Sequence, residues 1–146
     1  MNLLGFRPII RNCTVLIILL VIGIASCSKD DAPTENEIIG TWQLSSATRD
    51  GVNLTIPTCA KLDKIEIKSN KTFVQTGYYS PSENDMDCTI NEEASSSGTW
   101  SIPSKGKLKF TYLFEGVSIS ETWYYSISEN KLTSSSEEIT LVYVRK

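Results

Sequence analysis

The sequence KLKFTYLFEGVSISETWYYSI, residues 107–127, contains two segments in which apolar and polar residues alternate. The first segment covers residues 107–114 and the second covers residues 117–127. Successive side chains of a β-strand point to opposite faces, so each segment predicts a strand with one face against a core. The dipeptide Glu115-Gly116 between them predicts a tight hairpin turn.

Short alternating segments of this kind, separated by turn residues, continue over most of the chain after residue 37. Residues 62–68 place Ile65 and Ile67 on one face, whereas residues 80–96 are expected to form a long loop. No stretch of this region shows the 3.6-residue period of an amphipathic helix. The pattern predicts an all-β sandwich or barrel. About eight antiparallel strands are enough to close an up-and-down meander barrel, which has no exposed sheet edges.

The first 26 residues have the composition of a cleaved leader. Residues 1–12 contain Arg7 and Arg11 but no acid, residues 13–25 are nearly all apolar, and small residues follow. This order of regions is typical of a secretory signal peptide. A helix formed by residues 13–25 would be about 20 Å long, whereas the hydrocarbon core of a bilayer is about 30 Å thick. We therefore expect the segment to be removed rather than retained as a membrane anchor.

The residues at the end of the leader, IASC at 24–27, resemble the lipobox of bacterial lipoproteins. The resemblance implies cleavage before Cys27, a diacylglyceryl group on its thiol, and an acyl chain such as palmitate on the new amino group. Several acyl chains at one terminus hold a protein stably at a membrane. We predict a lipoprotein signal peptide over residues 1–26 and a lipidated tether over residues 27–37.

The tether begins with Ser28-Lys29-Asp30-Asp31, which resembles the tag that sends some Gram-negative lipoproteins to the outer face of the outer membrane. The alternative is a soluble, charged spacer without sorting information. The resemblances together imply a cell-envelope protein, lipid-anchored in the outer membrane and exposed at the surface rather than facing the periplasm.

The cysteine count follows from this interpretation. The chain has 4 Cys, of which Cys13 would leave with the leader and Cys27 would carry lipid. Cys59 and Cys88 remain as an even pair in an oxidising compartment, for which a disulfide is the default. A metal site or redox pair is the alternative, but the chain has no His and no C-x-x-C spacing.

Composition and motifs exclude several classes of function. The chain has 14 Lys and Arg against 17 Asp and Glu, without the cationic footprint that nucleic-acid binding requires. The absence of His and of a Gly-rich phosphate loop leads us to expect no enzymatic activity and no cofactor. Residues 83–87 with Glu92 and Glu93 could bind calcium, but they lack the EF-hand spacing. We expect a solvated loop there and no metal.

The tripeptide Gly-Thr-Trp occurs at residues 40–42 and again at residues 98–100. The first copy resembles the Gly-x-Trp opening of lipocalins. The pattern over residues 38–146 is similar to the lipocalin-like domain family of bacterial lipoproteins, including the two Cys positions and the Tyr-x-Arg ending at residues 143–145. True lipocalins carry a C-terminal helix, whereas this chain stops at Lys146 directly after its last predicted strand. We predict a lipocalin-like barrel without that helix.

In lipocalins an Arg of the last strand packs over the opening Trp. The resemblance therefore implies that Arg145 covers Trp42 and plugs one barrel end, with a cation–π contact worth about 0.5–2 kcal/mol. The second tryptophan, Trp100, is expected either in the interior or at a rim.

Aromatic residues of the predicted strands are candidates for lining a ligand cavity, although small barrels are often filled by their own side chains. Glu121 is the polar exception on its strand face, and an inward carboxylate needs a partner or a wet cavity. A register shifted by one residue would instead turn it to water. The candidates are Trp100, Phe110, Tyr112, Phe114, Glu121, Trp123 and Tyr125.

These observations predict a membrane-anchored lipoprotein with a lipocalin-like binding module for a small apolar or glycan-like ligand. The alternative is a structural or interaction lipoprotein, with a solid barrel whose loops contact an envelope or external protein. The expected partners are thus the membrane, through the acyl chains, and either a small hydrophobic ligand or an envelope protein. An apolar-lined cavity would support the first function and a filled interior the second.

Overall fold

The computed structural model describes residues 33–82 and 87–146. The predicted signal peptide, Cys27 and the beginning of the tether lie outside these residues. The described region contains a short helix, nine strands and a 3₁₀ helix between the second and third strands. Neither described helix has the length and apolarity that crossing a bilayer requires. The elements are α1 (Glu35–Ile38), β1 (Gly40–Arg49), β2 (Val52–Asn53), the 3₁₀ helix (Cys59–Leu62), β3 (Lys64–Ile67), β4 (Thr72–Tyr79), β5 (Thr89–Ser104), β6 (Lys107–Phe114), β7 (Val117–Ser128), β8 (Lys131–Ser135) and β9 (Ile139–Arg145).

The strands form one antiparallel sheet that closes on itself. Strands β3 to β9 pair with their neighbours in chain order, and β1 pairs with β3 on one side and β9 on the other. The β1–β9 pairing closes a barrel of eight strands, and the short β2 adds only a hairpin to β1. Strand β9 ends at Arg145, and no helix follows it among the described residues. The predicted lipocalin-like, up-and-down barrel is confirmed.

The β6–β7 hairpin forms as its alternating sequence predicts. Phe114 pairs with Val117, and the two residues between them have φ angles of +50° (Glu115) and +80° (Gly116). Two positive φ values define a type I′ turn, whose twist matches that of the flanking strands. The alternation therefore sets which side chains enter the barrel, and Leu108 and Tyr125 are buried there.

The long loop predicted over residues 80–96 is shorter in the structure, because β5 already begins at Thr89. Gln75 of β4 pairs with Ser96, and Gly77 of β4 pairs with Asn91. Between these two pairs, β5 therefore contains several more residues than β4 does, which makes this part of β5 a bulge. The Asn91 side chain accepts hydrogen bonds from the backbone N–H groups of Glu93 (3.1 Å) and Ala94 (3.3 Å). This bulge has no alternating pattern, which explains why the sequence predicts a loop there.

The barrel has two unlike ends. We call the base the end that carries α1 and the β3–β4, β5–β6 and β7–β8 turns, and the mouth the opposite end, with the β6–β7 turn. The buried cluster includes Trp42 and Trp100 near the base, with Ile38 of α1 packed beneath them. The base of the barrel is therefore closed by packed side chains.

The predicted disulfide between Cys59 and Cys88 is present, with a Cα–Cα distance of 5.2 Å. It joins the 3₁₀ helix before β3 to the residue preceding β5. Both connections lie at the mouth, so the bond links two segments of the rim.

Candidate functional site

The base is organised around Trp42, which is 0% exposed. Its indole Nε1 donates a hydrogen bond to the Ile38 carbonyl (2.7 Å). The guanidinium carbon of Arg145 lies 4.1 Å from the centre of the ring. Arg145 also donates hydrogen bonds to the carbonyls of Ile39 (2.8 Å) and Glu37. These contacts join the last strand, the first strand and the segment before it, and they close this end of the barrel.

The second Gly-Thr-Trp repeats this arrangement. Trp100 Nε1 donates to the Lys68 carbonyl (2.9 Å), and Lys71 Nζ lies 4.4 Å from the centre of the Trp100 ring. Lys71 also pairs with Glu35 of α1. In both copies of the motif, the tryptophan therefore donates a hydrogen bond to a backbone carbonyl and has a cationic side chain over its ring.

The two glycines of the motif are required for different reasons, Gly40 by its backbone conformation and Gly98 by close approach to the backbone of β6. A Cβ on Gly40 would lie 2.5 Å from Arg145 Nη1, and the φ of Gly40 is +146°. A Cβ on Gly98 would lie 2.0 Å from the carbonyl oxygen of Thr111 on β6. The β5–β6 contact beside Trp100 is therefore too close for any side chain at residue 98.

Trp100 and Tyr125, which sequence analysis placed among the candidate lining residues, lie at the base instead. Trp100 is buried beneath Lys71, and Tyr125 is buried with its hydroxyl donating to the Pro33 carbonyl (3.4 Å). Neither side chain lines the cavity. The alternating pattern correctly predicts that both side chains point into the barrel. It does not predict their position along the barrel axis.

Above the base, the barrel contains a cavity of about 390 Å³ that is open to solvent. Its volume falls within the range of about 300–1,000 Å³ usual for small-molecule sites. Buried Phe73, Leu108 and Leu132 contribute to its lining, and exposed residues such as Leu113 line the mouth. Side chains thus fill the interior of the barrel at the base but not in its upper half. Five of the predicted lining residues face this cavity: Phe110, Tyr112, Phe114, Glu121 and Trp123.

Glu121 lines the cavity, where its side chain is open to solvent and has two hydrogen-bond partners. Tyr112 donates its hydroxyl proton to Glu121 Oε1 (2.7 Å), and Trp123 Nε1 donates to Oε2 (3.3 Å). The hydrogen bond to Glu121, followed by burial and by the negative charge of Glu121, raises the pKa of the Tyr112 phenol. Tyr112 therefore keeps its proton at neutral pH and holds the carboxylate in place.

Several other polar lining residues come from segments that the sequence pattern does not distinguish. Glu93, Ser95 and Ser96 belong to the bulged segment of β5, and Gln75 lies on the facing segment of β4. Burial, followed by the charge of Asp63, raises the pKa of the lining residue Tyr143 to about 12. Tyr143 is therefore neutral, and Glu93 and Glu121 are the charged groups among the described lining residues.

Exposed apolar side chains surround the β6–β7 turn at the mouth. Leu113 is 72% exposed, Phe114 is 54% exposed, and Val117 is 61% exposed. Leu113 and Phe114 also reach the cavity lining. The entrance is therefore apolar on this side, which favours an apolar molecule approaching the cavity.

The calcium alternative falls mainly on residues 83–86, which lie outside the described residues. Over residues 33–82 and 87–146, no group of His, Cys, Asp or Glu is arranged to hold a metal ion.

The comparison with protein families agrees with this geometry. The family model of the lipocalin-like domain matches residues 38–134, more than half of the chain. The matched segment includes both Gly-Thr-Trp motifs, both disulfide cysteines and the Tyr112–Glu121 pair. No curated protein gives a significant match. The chain belongs to the lipocalin-like domain family.

Proposed function

We propose that this protein is a membrane-anchored binding module that holds a small, largely apolar ligand in the cavity above the base. The observation that carries the proposal is the aromatic-lined space of about 390 Å³, open at the mouth. Members of the lipocalin-like family are typically binding domains without enzymatic activity. We therefore infer binding rather than catalysis as the work of this cavity.

The burial of apolar ligand surface alone provides only a limited affinity at such a site. Removing about 200 Å² of apolar ligand surface from water is worth about 5 kcal/mol. A Kd of about 1 µM requires about 8 kcal/mol, and association itself has an entropic cost. Polar contacts inside the cavity are therefore expected to contribute, and the Glu121 carboxylate is positioned to do so.

A matched pair of tryptophan substitutions tests whether the cavity binds. Ser96 lines the cavity, whereas its neighbour Ser97 is exposed on the opposite face of β5. The wild-type protein should bind the neutral fluorophore N-phenyl-1-naphthylamine saturably and with 1:1 stoichiometry. Ser96→Trp should weaken this binding by at least about tenfold because the indole occupies the cavity, while Ser97→Trp should leave it unchanged. Equal effects of the two variants, or no saturable binding by wild type, would overturn the proposed function.

The membrane anchor rests on the sequence. The leader over residues 1–26 and the lipobox-like residues 24–27 support lipidation of Cys27. The described chain begins at Pro33, beside Tyr125 at the base. The location that we propose is the outer membrane, with the barrel at the cell surface, because residues 28–31 resemble a surface-sorting tag.

Metabolic labelling tests the anchor. The full chain, expressed in a Gram-negative host with labelled palmitate, should carry the label and fractionate with membranes. Cys27→Ser should abolish both, whereas Cys13→Ser should retain both because Cys13 is removed with the leader. Label that persists in Cys27→Ser would show that the lipobox interpretation is wrong.

The alternative function is an interaction lipoprotein, which the exposed apolar residues of the β6–β7 hairpin favour. A partner of the envelope or of the surroundings would then cover Leu113, Phe114 and Val117. Native mass spectrometry of the protein purified from its host distinguishes the two functions. A bound small molecule supports the first function, and a stoichiometric protein partner without one supports the second.

A further inference from the structure

We propose that the ligand is a small amphipathic amine, whose ammonium group meets Glu121 while its apolar body lies among the aromatic rings. The inference rests on the proposed function, since it specifies what the same cavity accepts. The sign of the charge inside the barrel is the observation that leads to it.

The described cavity lining contains negative charge without positive charge. Glu93 and Glu121 belong to it, and no Lys or Arg does. Lysines on the neighbouring strand alternate with the inward residues and therefore face outward. Lys107 illustrates this, because its Nζ lies 5.3 Å from the Tyr124 ring, and that ring is 59% exposed. Among the described residues, none thus brings a cation to Glu121 from the cavity lining.

The Glu121 carboxylate retains room for a further donor. Its two oxygens together offer about four acceptor positions. Tyr112 and Trp123 occupy one position on each oxygen, and both donors lie within the cavity wall. The two contacts hold the carboxylate in one orientation without neutralising it. An ammonium group carries three N–H donors and can complete the remaining positions.

The aromatic lining favours a cation for a second reason. The faces of aromatic rings carry negative electrostatic potential, so they attract ammonium groups as well as packing against apolar chains. The cavity includes the rings of Phe73, Phe110, Tyr112, Phe114, Trp123 and Tyr143. A carboxylate ligand, in contrast, would meet two negative charges and no compensating donor of full positive charge. The site therefore discriminates against fatty acids and in favour of amines.

A series of three compounds with one skeleton tests the charge preference. Each of 4-phenylbutylamine, 4-phenylbutanol and 4-phenylbutyrate is titrated at pH 7 against protein loaded with N-phenyl-1-naphthylamine. The amine should displace the fluorophore at a concentration at least about tenfold below that of the alcohol, and the carboxylate should be weakest. Equal displacement by amine and alcohol would overturn the amine proposal while leaving the cavity as a binding site. Failure of all three compounds and of the fluorophore would overturn the proposed function as well.

Charge removal at Glu121 provides the second readout. Glu121→Gln keeps the side-chain size and should lower the ratio of amine affinity to alcohol affinity at least about tenfold, to a value near one. The matched control is Glu115→Gln, which removes an exposed carboxylate of the mouth turn that does not line the cavity. This control variant should still bind the amine more tightly than the alcohol. The opposite result is a preference for the amine that survives in Glu121→Gln but is lost in Glu115→Gln. It would assign the preference to the overall electrostatic potential at the mouth and overturn the role of Glu121. The compound series on wild-type protein needs no variant, so the test stands even if Glu121→Gln folds poorly.

Discussion

Replacing Cys59 and Cys88 together by alanine should lower the free energy of unfolding by about 3–4 kcal/mol. The disulfide spans 29 residues, and a cross-link of that length removes chain entropy from the unfolded state by about this amount. Small domains have a net stability of about 5–15 kcal/mol, so the loss is a large share of the total. Cys59 is also buried, and its truncation adds a small packing cost.

Urea unfolding followed by tryptophan fluorescence measures this effect. The double variant should unfold at a lower midpoint than wild type, and wild type in the presence of a reductant should approach the same midpoint. The slope of the transition is expected to increase, because the unfolded chain without the cross-link exposes more surface. A loss below about 1 kcal/mol would show that the unfolded chain keeps these two segments together without the bond.

Gly98→Ala should lower the free energy of unfolding by about 3 kcal/mol. The new Cβ would lie 2.0 Å from the Thr111 carbonyl oxygen, which belongs to the backbone of β6 and cannot rotate away. Strands β5 and β6 would have to separate beside Trp100, where the Gly98 backbone pairs with Tyr112. The same displacement would shift one wall of the cavity, since Tyr112 lines it.

Gly116→Ala is the matched control in the same unfolding experiment. Gly116 lies in the β6–β7 turn with a φ of +80°, and a Cβ there has no atom within 4 Å. It should cost only about 1 kcal/mol, from the backbone conformation alone. If Gly98→Ala cost no more than this control, the close approach of β5 to β6 would not constrain residue 98.

The alternating segments predict the barrel well because side-chain alternation is a local property of the strand. The β6–β7 hairpin shows this most clearly, since its period places Glu121 on the inward face beside Trp123. The requirement that an inward carboxylate have a partner is likewise a local chemical argument, and Tyr112 meets it from the adjacent strand. The face of a strand residue is therefore readable from sequence.

Depth within the barrel is not readable in the same way. Trp100 and Tyr125 share inward faces with true lining residues, yet Lys71 and Pro33 cover them at the base. Those covering contacts join residues far apart in the chain, and no periodicity encodes them. The bulge of β5 poses a similar difficulty, because only Asn91 and Ser96, at its two ends, pair with β4. Glu93 therefore enters the site from a segment whose composition predicts a loop.

The base contacts also determine how the protein responds to mechanical load. Tension applied through the N-terminal segment reaches Pro33, Glu35 and Glu37 before it reaches β1. These residues are held by Tyr125, Lys71 and Arg145 respectively. Side-chain contacts of this kind can break in succession while the β1–β9 ladder stays intact. A pull on this N-terminal segment is therefore expected to extend it by a few residues before it disturbs the barrel strands that line the cavity.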